Sequence, residues 1–245
     1  MKDREIYAEL KALPPLAVRI DGRGFRKVLA HLGFKKPYDE RFARAMVGAT
    51  ELFFKEGGFN PQFAFTFSDE VSIFFLEMPF NSRVEKLDSI IPSFFASALT
   101  KLLGADKPLA FDSRIVHLDR DSIYRYLLWR QAEAWRNHIS SYGFYILRDV
   151  GLDERAAAVR LKGMKSSDIH ELAFRHGINL GETPRWQRCG MLIFREAFEK
   201  RGYDPIRGTE VTASRTKVSH DCNIPIFKSR EGQELVTKLL TASLR

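Results

Sequence analysis

An aspartate and two glycines follow a short apolar strand pattern near the start of the chain, in the sequence RIDGRGF at residues 19–25. The carboxylate of Asp21 can bind a metal ion, and Gly22 and Gly24 let backbone amides approach a phosphate that a side chain would block. Basic residues surround them at four positions: Arg19, Arg23, Arg26 and Lys27. Because Lys27 stands where a third glycine would be needed, this is not the dinucleotide-binding fingerprint. The combination indicates a nucleotide site, with an ordinary strand-to-helix turn as the alternative.

A second pair of acids lies between two apolar runs. Phenylalanines alternate with other residues over residues 63–67, and residues 71–76 are again largely apolar. Ser68, Asp69 and Glu70 separate the two runs. Two strands joined by a short polar segment predict a β-hairpin with these acids at its tip. A hairpin turn without a chemical role is the alternative.

The elements that must position these acids follow in a regular order. A helix capped by Asp39 separates the first strand from the hairpin. Ser82 and Glu85 form a capping box for a second helix, and residues 111–117 form a fourth strand. The order strand, helix, strand, strand, helix, strand predicts an α+β, ferredoxin-like βαββαβ domain over residues 1–120.

This topology brings the two acidic positions together. Its first two strands run parallel, and the third lies between them, antiparallel to both. The end of the first strand and the tip of the hairpin then lie at the same edge, so we expect Asp21 and Asp69 to be neighbours. Two carboxylates at such an edge can hold two Mg²⁺ ions for phosphoryl or nucleotidyl transfer.

The second half of the chain, residues 121–245, is predicted to be mainly helical. A long helix begins near Asp121 and ends near Gly151, and Asp153 caps the next helix. Residues 233–244 form a closing amphipathic helix.

Two basic stretches of this half are predicted to contact an RNA backbone. Residues 155–188 contain seven basic residues against three acids, and the segment around Arg215 and Lys217 forms a second basic patch. Positive side chains interleaved with aromatic ones are typical of RNA-binding surfaces. A solvated helix face is the alternative.

The overall composition favours an anionic partner. The chain of 245 residues has 39 Lys and Arg against 31 Asp and Glu, a formal net charge of +8, which points first to nucleic acid. Cys189 and Cys222 are the only cysteines, so a disulfide framework or structural zinc site is not expected. No signal-peptide pattern and no membrane-spanning apolar run occur. We therefore expect a cytoplasmic protein without a membrane partner.

Five motifs occur in an order that is typical of a known family: RxDGRxF at 19–25, SDEVS at 68–72, FDxR at 111–114, YxxWRQ at 126–131 and RTK at 215–217. Together they resemble the tRNA-histidine guanylyltransferase family, including its guanylyltransferase-like branch. The motifs span most of the chain, and each is weak alone, whereas their order is specific.

The resemblance implies a polymerase-type palm that adds nucleotides to the 5′ end of tRNA in the 3′-to-5′ direction. ATP or GTP would activate the 5′-phosphate, and the 3′-hydroxyl of the incoming nucleotide would then attack it. It also implies a palm over residues 1–120 and a C-terminal region, residues 121–245, that binds tRNA and supports assembly into homodimers or homotetramers.

The resemblance also implies roles for individual residues. The expected catalytic residues are Asp21, Asp69 and Glu70. The expected ligands of two Mg²⁺ ions are Asp21, the Gly22 carbonyl and Asp69. The expected nucleotide-binding residues are Gly22, Arg23, Gly24, Phe25, Arg26, Lys36, Ser68 and Asp69. The candidate tRNA-binding residues are Arg130, Arg136, Asn137, Lys162, Lys165, Arg215 and Lys217. Within the WRQ motif we expect Trp129 to lie in the core and Arg130 to act in binding.

Some positions differ from the eukaryotic members of that family. The eukaryotic motif DCHINN is replaced by EAWRNH at residues 133–138, its histidine after DGR is Arg26, and a family lysine corresponds to Ile169. These differences resemble the guanylyltransferase-like branch, which is associated with template-dependent addition and 5′-end repair.

Two other functions fit parts of the pattern. A palm-type nucleotide cyclase also uses two acids and Mg²⁺, although it needs no basic RNA surface. An RNA-recognition module shares the βαββαβ order, but no segment matches its RNP1 sequence.

Overall fold

The computed structural model describes residues 1, 4–77, 80–204 and 208–241. Its strands are β1 (Leu16–Gly22), β2 (Phe63–Phe67), β3 (Glu70–Phe75), β4 (Phe111–His117), β5 (Met191–Asp204) and β6 (Thr209–Asp221). Its helices are α1 (Phe25–His31), α2 (Glu40–Glu56), α3 (Val84–Leu103), α4 (Arg120–Asp149), α5 (Glu154–Lys162), α6 (Ser166–Arg175), α7 (Arg185–Cys189) and α8 (Arg230–Thr241).

Within these described residues, six strands form one antiparallel sheet with the order β4-β1-β3-β2-β5-β6. The first four strands, with α2 and α3 between them, have the order and arrangement of the ferredoxin-like fold. The α+β class and the palm topology that the sequence predicts are therefore confirmed.

Helices α2 and α3 cover one face of the sheet. The side chain of Asp39 accepts a hydrogen bond from the Arg41 N–H and caps α2, as predicted. Val18, Ile20 and Phe75 point from β1 and β3 into the apolar core beneath these helices.

Helix α4 covers the other face of the sheet. This helix begins at Arg120, close to the predicted start, and Asp119 caps it through a reciprocal pair of hydrogen bonds with Ser122. Tyr126 and Leu127 of α4 pack in one cluster with the three phenylalanines at alternate positions of β2, and residues of α8 belong to the same cluster. The capping of α5 by Asp153 is also confirmed.

Three local features differ from the sequence-based expectations. Ser82 does not cap α3, because Arg83 is the residue at its N-cap and no side chain makes the capping hydrogen bond. The long strands β5 and β6 were not predicted and accompany the helices of the C-terminal half. The closing helix ends at Thr241, and residues 242–244 of the predicted helix lie outside the described residues.

Among the described residues, no helix combines the length and the apolar character that a membrane span requires.

Candidate active site

The end of β1 and the tip of the β2–β3 hairpin lie side by side. The backbone N–H of Gly22 donates a hydrogen bond to the carbonyl oxygen of Asp69 at 3.1 Å. In the same register, Asp21 is opposite Glu70 on β3 and opposite Asp112 on β4. The strand order therefore makes Asp21 and Asp69 neighbours, as the sequence predicts.

Glycine at position 22 is required by this close approach. A side chain there would overlap the ring of Phe25, and its Cβ would lie 2.9 Å from the Cβ of Asp69. The next glycine, Gly24, has a φ of 73° and immediately precedes α1. Glycine is thus needed at these two positions for different reasons. Position 22 makes a close contact, and position 24 has a left-handed backbone conformation.

The two aspartates share an electrostatically unfavourable environment. Burial raises the pKa of Asp21, and the negative charge of Asp112 raises it further. Burial is also the main cause that raises the pKa of Asp69, a hydrogen bond from Ser68 opposes this rise, and the charge of Asp21 adds to it. A bound divalent cation would relieve this repulsion and favour both ionised carboxylates.

Glu70, the next residue of the hairpin, is engaged with α4. Both oxygens of its buried carboxylate accept hydrogen bonds from Arg130, at 2.8 Å from Nε and 2.5 Å from Nη2. Burial raises the pKa of Glu70, whereas the charge and hydrogen bonds of Arg130 lower it. In this arrangement the carboxylate of Glu70 is bound to Arg130. A catalytic role for Glu70 therefore stays a prediction.

The same pair corrects the expectation for Arg130. Its side chain is only 6% exposed, and its donors point to Glu70. Arg130 therefore has little free surface for tRNA, and its hydrogen bonds hold the side chain of Glu70 on β3, next to β1 in the sheet.

A cavity of about 410 Å³ opens beside Asp69. Five of the residues that the sequence predicts for nucleotide binding line it: Phe25, Arg26, Lys36, Ser68 and Asp69. The remaining three, Gly22, Arg23 and Gly24, lie at the end of β1, next to this cavity but not in its lining. The size of the cavity is in the range of small-molecule sites.

The cavity combines positive charge with the aspartate. Lys36 is close enough to Asp69 for the two charges to influence each other. Burial lowers the pKa of Lys36, and the neighbouring charge of Arg26 lowers it further. An anion in the cavity would relieve the repulsion between Lys36 and Arg26, as a phosphate would.

Comparison with known proteins identifies the family. Family models described as tRNAHis guanylyltransferase and Thg1 C terminal domain match residues 1–119 and 121–232, respectively. The chain belongs to the tRNA(His) guanylyltransferase family. Its members are nucleotidyltransferases, so the family that the sequence motifs indicate is confirmed, together with its class of enzyme.

Individual members of the tRNA(His) guanylyltransferase family match much of the chain. The tRNA(His) guanylyltransferase of Neurospora crassa is 31% identical over 242 residues, covering 92% of this chain and 80% of that protein. A probable tRNA(His) guanylyltransferase of Drosophila melanogaster is 31% identical over 192 residues, covering 74% of this chain and 67% of that protein.

Solved structures of the family share the fold. The tRNA(His) guanylyltransferase of Saccharomyces cerevisiae superposes with a TM-score of 0.68 at 27% identity, covering 78% of this chain and 90% of that chain. A bacterial guanylyltransferase-like protein in complex with GTP superposes with a TM-score of 0.74 at 23% identity, covering 99% and 97%. The second likeness shows the fold alone.

The other candidate tRNA-binding residues of this family member are spread over two regions. Asn137 lines the cavity beside Asp69, whereas Arg136 and Lys162 line a second opening of about 480 Å³ that also includes Arg26. Lys165 is exposed at the start of α6.

Arg215 and Lys217 are exposed on β6, at the opposite edge of the sheet. Lys217 pairs there with Glu196 at 3.3 Å. The structure thus brings Arg136, Asn137 and Lys162 near the cavity and leaves Arg215 and Lys217 apart from it.

Several lining residues were missed by sequence reasoning. Ser140, Ser141 and Phe144 on α4 line the cavity beside Asn137, which the sequence offers only as a tRNA-binding candidate, and Trp186 lines it as well. The intervals of three, four and seven residues place these α4 residues on one helix face. The polar residues Asn137, Ser140 and Ser141 on this face were the available signal.

The donor set fits Mg²⁺ better than a softer metal. Among the residues that the structure describes, no group of three His, Cys, Asp or Glu side chains is arranged to hold a metal ion. Asp21, Asp69 and the Gly22 carbonyl would offer oxygen ligands and leave several coordination positions open, which would suit Mg²⁺ bound together with substrate phosphates. The close Gly22–Asp69 contact and the mutual repulsion of Asp21 and Asp69 agree with this choice.

Proposed function

We propose that this protein is a template-dependent nucleotidyltransferase that adds nucleotides, GMP among them, to the 5′ end of tRNA in the 3′-to-5′ direction. The observation that supports it most is the meeting of Asp21 and Asp69 beside a cavity that also contains Lys36 and Arg26. Family membership supplies the class of reaction.

Relatives support the choice of substrates. The family proteins are named for guanylyl transfer to tRNA(His), and bacterial family-like proteins have been solved in complex with GTP and with ATP. We propose that ATP or GTP activates the tRNA 5′-phosphate here, and that the reaction serves 5′-end repair, addition of G at position −1 of tRNA(His), or both.

Asp21, the Gly22 carbonyl and Asp69 would hold two Mg²⁺ ions. When bound, these ions would polarise the reacting phosphoryl oxygens and neutralise their charge. Lys36 and Arg26, which line the same cavity, would bind the triphosphate of the nucleotide. Arg130 would hold the side chain of Glu70 on β3, so that the hairpin tip presents Asp69 in a fixed position.

The remaining sequence-based expectations stay predictions. They are the division into a palm at residues 1–120 and a tRNA-binding and oligomerisation region at residues 121–245, the homodimer or homotetramer, and the cytoplasmic location. The candidate tRNA-binding residues other than Arg130 belong with them: Arg136, Asn137, Lys162, Lys165, Arg215 and Lys217.

The direct test is nucleotide addition to a tRNA that lacks its first 5′ nucleotide. The protein is incubated with this tRNA, Mg²⁺, ATP and each of the four labelled nucleoside triphosphates in turn, while the template base opposite the missing position is varied. Template-dependent addition predicts that the labelled product follows the template base. Addition of G regardless of the template would restrict the function to guanylyl transfer.

The same assay separates the alternatives. Cyclisation of GTP in the absence of RNA would establish the nucleotide cyclase. Tight tRNA binding without any product from nucleotides would favour the non-catalytic RNA-binding protein.

A further inference from the structure

The environments of Trp129 and Arg130 are the reverse of those that the sequence suggests. Trp129, which we expect from its type to lie in the core, is 47% exposed, whereas Arg130 is 5% exposed. Trp129 packs edge-on against Tyr126 and lies 4.4 Å from the guanidinium carbon of Arg130, measured to its ring centroid. A large aromatic ring is therefore held in place on one side and open to solvent on the other.

Positive charge surrounds this exposed ring. The guanidinium carbon of Arg19 lies 5.4 Å from the centroid of the Trp129 ring. Arg19 on β1 is directly opposite Arg114 on β4. Like charges in directly opposed strand positions are unfavourable unless an anion lies between or over them. Arg114 pairs with the exposed Asp112 at 3.6 Å, and the charges of Arg19 and Arg114 both act on Asp21 as well.

The two arginines, Arg19 and Arg114, lie within electrostatic reach of Asp21. Arg19 and Asp21 are two positions apart on β1 and therefore point to the same face of the sheet. On α4, Trp129 and Asn137 are eight residues apart, or about 12 Å along the helix axis. Asn137 lines the nucleotide cavity, so Trp129 lies toward the opposite end of the helix from that cavity.

A transfer between two substrates needs a second binding surface near the metal-binding acids. From the surroundings of Trp129 we propose that Trp129, Arg19 and Arg114, here called the Trp129 patch, receive the 5′ end of the RNA substrate. The indole stacks on a base of the acceptor end, and the two arginines bind its phosphates. The proposal rests on the proposed function and adds where the RNA approaches.

Tryptophan fluorescence can report on the binding of both substrates, the nucleotide and the tRNA. Its three tryptophans are Trp129, Trp135 and Trp186. A Trp135→Phe/Trp186→Phe variant keeps only the ring of the Trp129 patch, and a Trp129→Phe/Trp135→Phe variant keeps only Trp186, which lines the nucleotide cavity. Stacking of a nucleobase on an indole quenches its fluorescence, so each variant reports on one site.

Fluorescence is measured while each variant is titrated with GTP or with a tRNA transcript that lacks its first 5′ nucleotide. We expect the transcript to quench Trp129 and GTP to leave Trp129 unchanged while it quenches Trp186. Unchanged Trp129 emission under conditions where filter binding shows a saturated tRNA complex would overturn the proposal. Emission that depends on protein concentration without RNA would assign the patch to contact with a second copy instead.

Kinetics provide the second measurement. Trp129→Ala is expected to raise the KM for tRNA about tenfold and to leave the KM for GTP unchanged, because one stacking contact is lost. Trp129→Tyr keeps an aromatic face beside Arg130 and should restore most of the affinity. Arg114→Gln should lower the slope of log affinity for tRNA against log salt by about one. Equal tRNA KM values for wild type and Trp129→Ala would contradict the patch.

The two proposals fail in different ways. If the protein extends tRNA normally, but tRNA does not quench Trp129 and Trp129→Ala does not change the KM for tRNA, only the proposal of the Trp129 patch is wrong. If no tRNA is extended at all, the proposed function is wrong, whatever the fluorescence shows.

Discussion

The two faces of the sheet use alternate residues of the same strands for different purposes. On β1, Val18 and Ile20 point to the apolar core under α2 and α3, whereas Arg19 and Asp21 point to the face that α4 covers in part. Adjacent residues of β1 thus alternate between the apolar core and the candidate active site. The comparison predicts that neighbouring substitutions separate into losses of activity and losses of stability.

The largest expected effect is on the rate of nucleotide addition, and it comes from the acids of the candidate metal site. Asp69→Asn removes one charge of the metal site without changing side-chain volume, and nucleotide addition should fall about 1,000-fold or more. Thermal unfolding should change little, since the charge is repelled by Asp21 in the metal-free protein. The rate is measured with single-turnover addition of labelled GTP.

Asp88→Asn is the matched control for this substitution. Asp88 on α3 is also half-buried, with a pKa raised by burial, but its carboxylate pairs with Ser113 away from the cavity. It should retain nearly full activity. Near-normal activity in Asp69→Asn would refute the assignment of the metal site.

The buried pair of Glu70 and Arg130 should give the next largest effect, this time on stability. Glu70→Gln leaves the guanidinium of Arg130 buried without its counter-charge, which is expected to cost about 3–5 kcal/mol of the free energy of unfolding. The double variant Glu70→Leu/Arg130→Met removes both charges and should recover most of that loss. Chemical denaturation measures both, and a fully additive double variant would contradict a coupled pair.

A smaller effect is expected from the buried His138 on α4. Burial and the charge of Arg188 lower its pKa from 6.5 to about 4. The unfolded chain binds a proton at this residue at higher pH than the folded protein, so stability falls as pH drops from about 6.5 to about 4, by up to about 3 kcal/mol. Denaturation at several pH values in wild type and His138→Gln tests this, and an identical pH dependence in both would contradict it.

The smallest effect is expected on the apolar face beside the acid. Ile20→Val, one residue before Asp21, removes a single methylene group from the core and should cost about 1 kcal/mol of stability. Activity per folded molecule should stay within about twofold, because neither the charge nor the backbone changes. A loss of activity comparable to that of an Asp21 variant would show that the two faces are not separable.

The sequence predicts the part of the molecule where pattern and topology are local. Alternating apolar residues and the Asp39 cap are sufficient for the βαββαβ order, and that order brings Asp21 beside Asp69. Glycine spacing and the adjacent charges predict a nucleotide site here, and Arg26 lines the cavity together with Lys36, which only the family resemblance adds.

The missed features depend on long-range contacts or lack a period. Much of β5 beyond Phe194 extends past its pairing with β2 and is exposed, so it shows no alternation of apolar residues. The burial of Arg130 depends on Glu70, 60 residues away in sequence, which no local spacing reveals. For the same reason, the exchange of roles between Trp129 and Arg130 becomes visible only in three dimensions.

The most direct test of the metal site is the affinity for GTP with and without Mg²⁺, measured by calorimetry on wild type and on Asp21→Asn/Asp69→Asn. In EDTA, the double variant should bind GTP more tightly than wild type, because two negative charges beside the cavity are gone. In Mg²⁺ the order should reverse, since only wild type can hold the ions that bridge to the phosphates. An equal gain from Mg²⁺ in both proteins would contradict the assignment of Asp21 and Asp69 as the metal ligands.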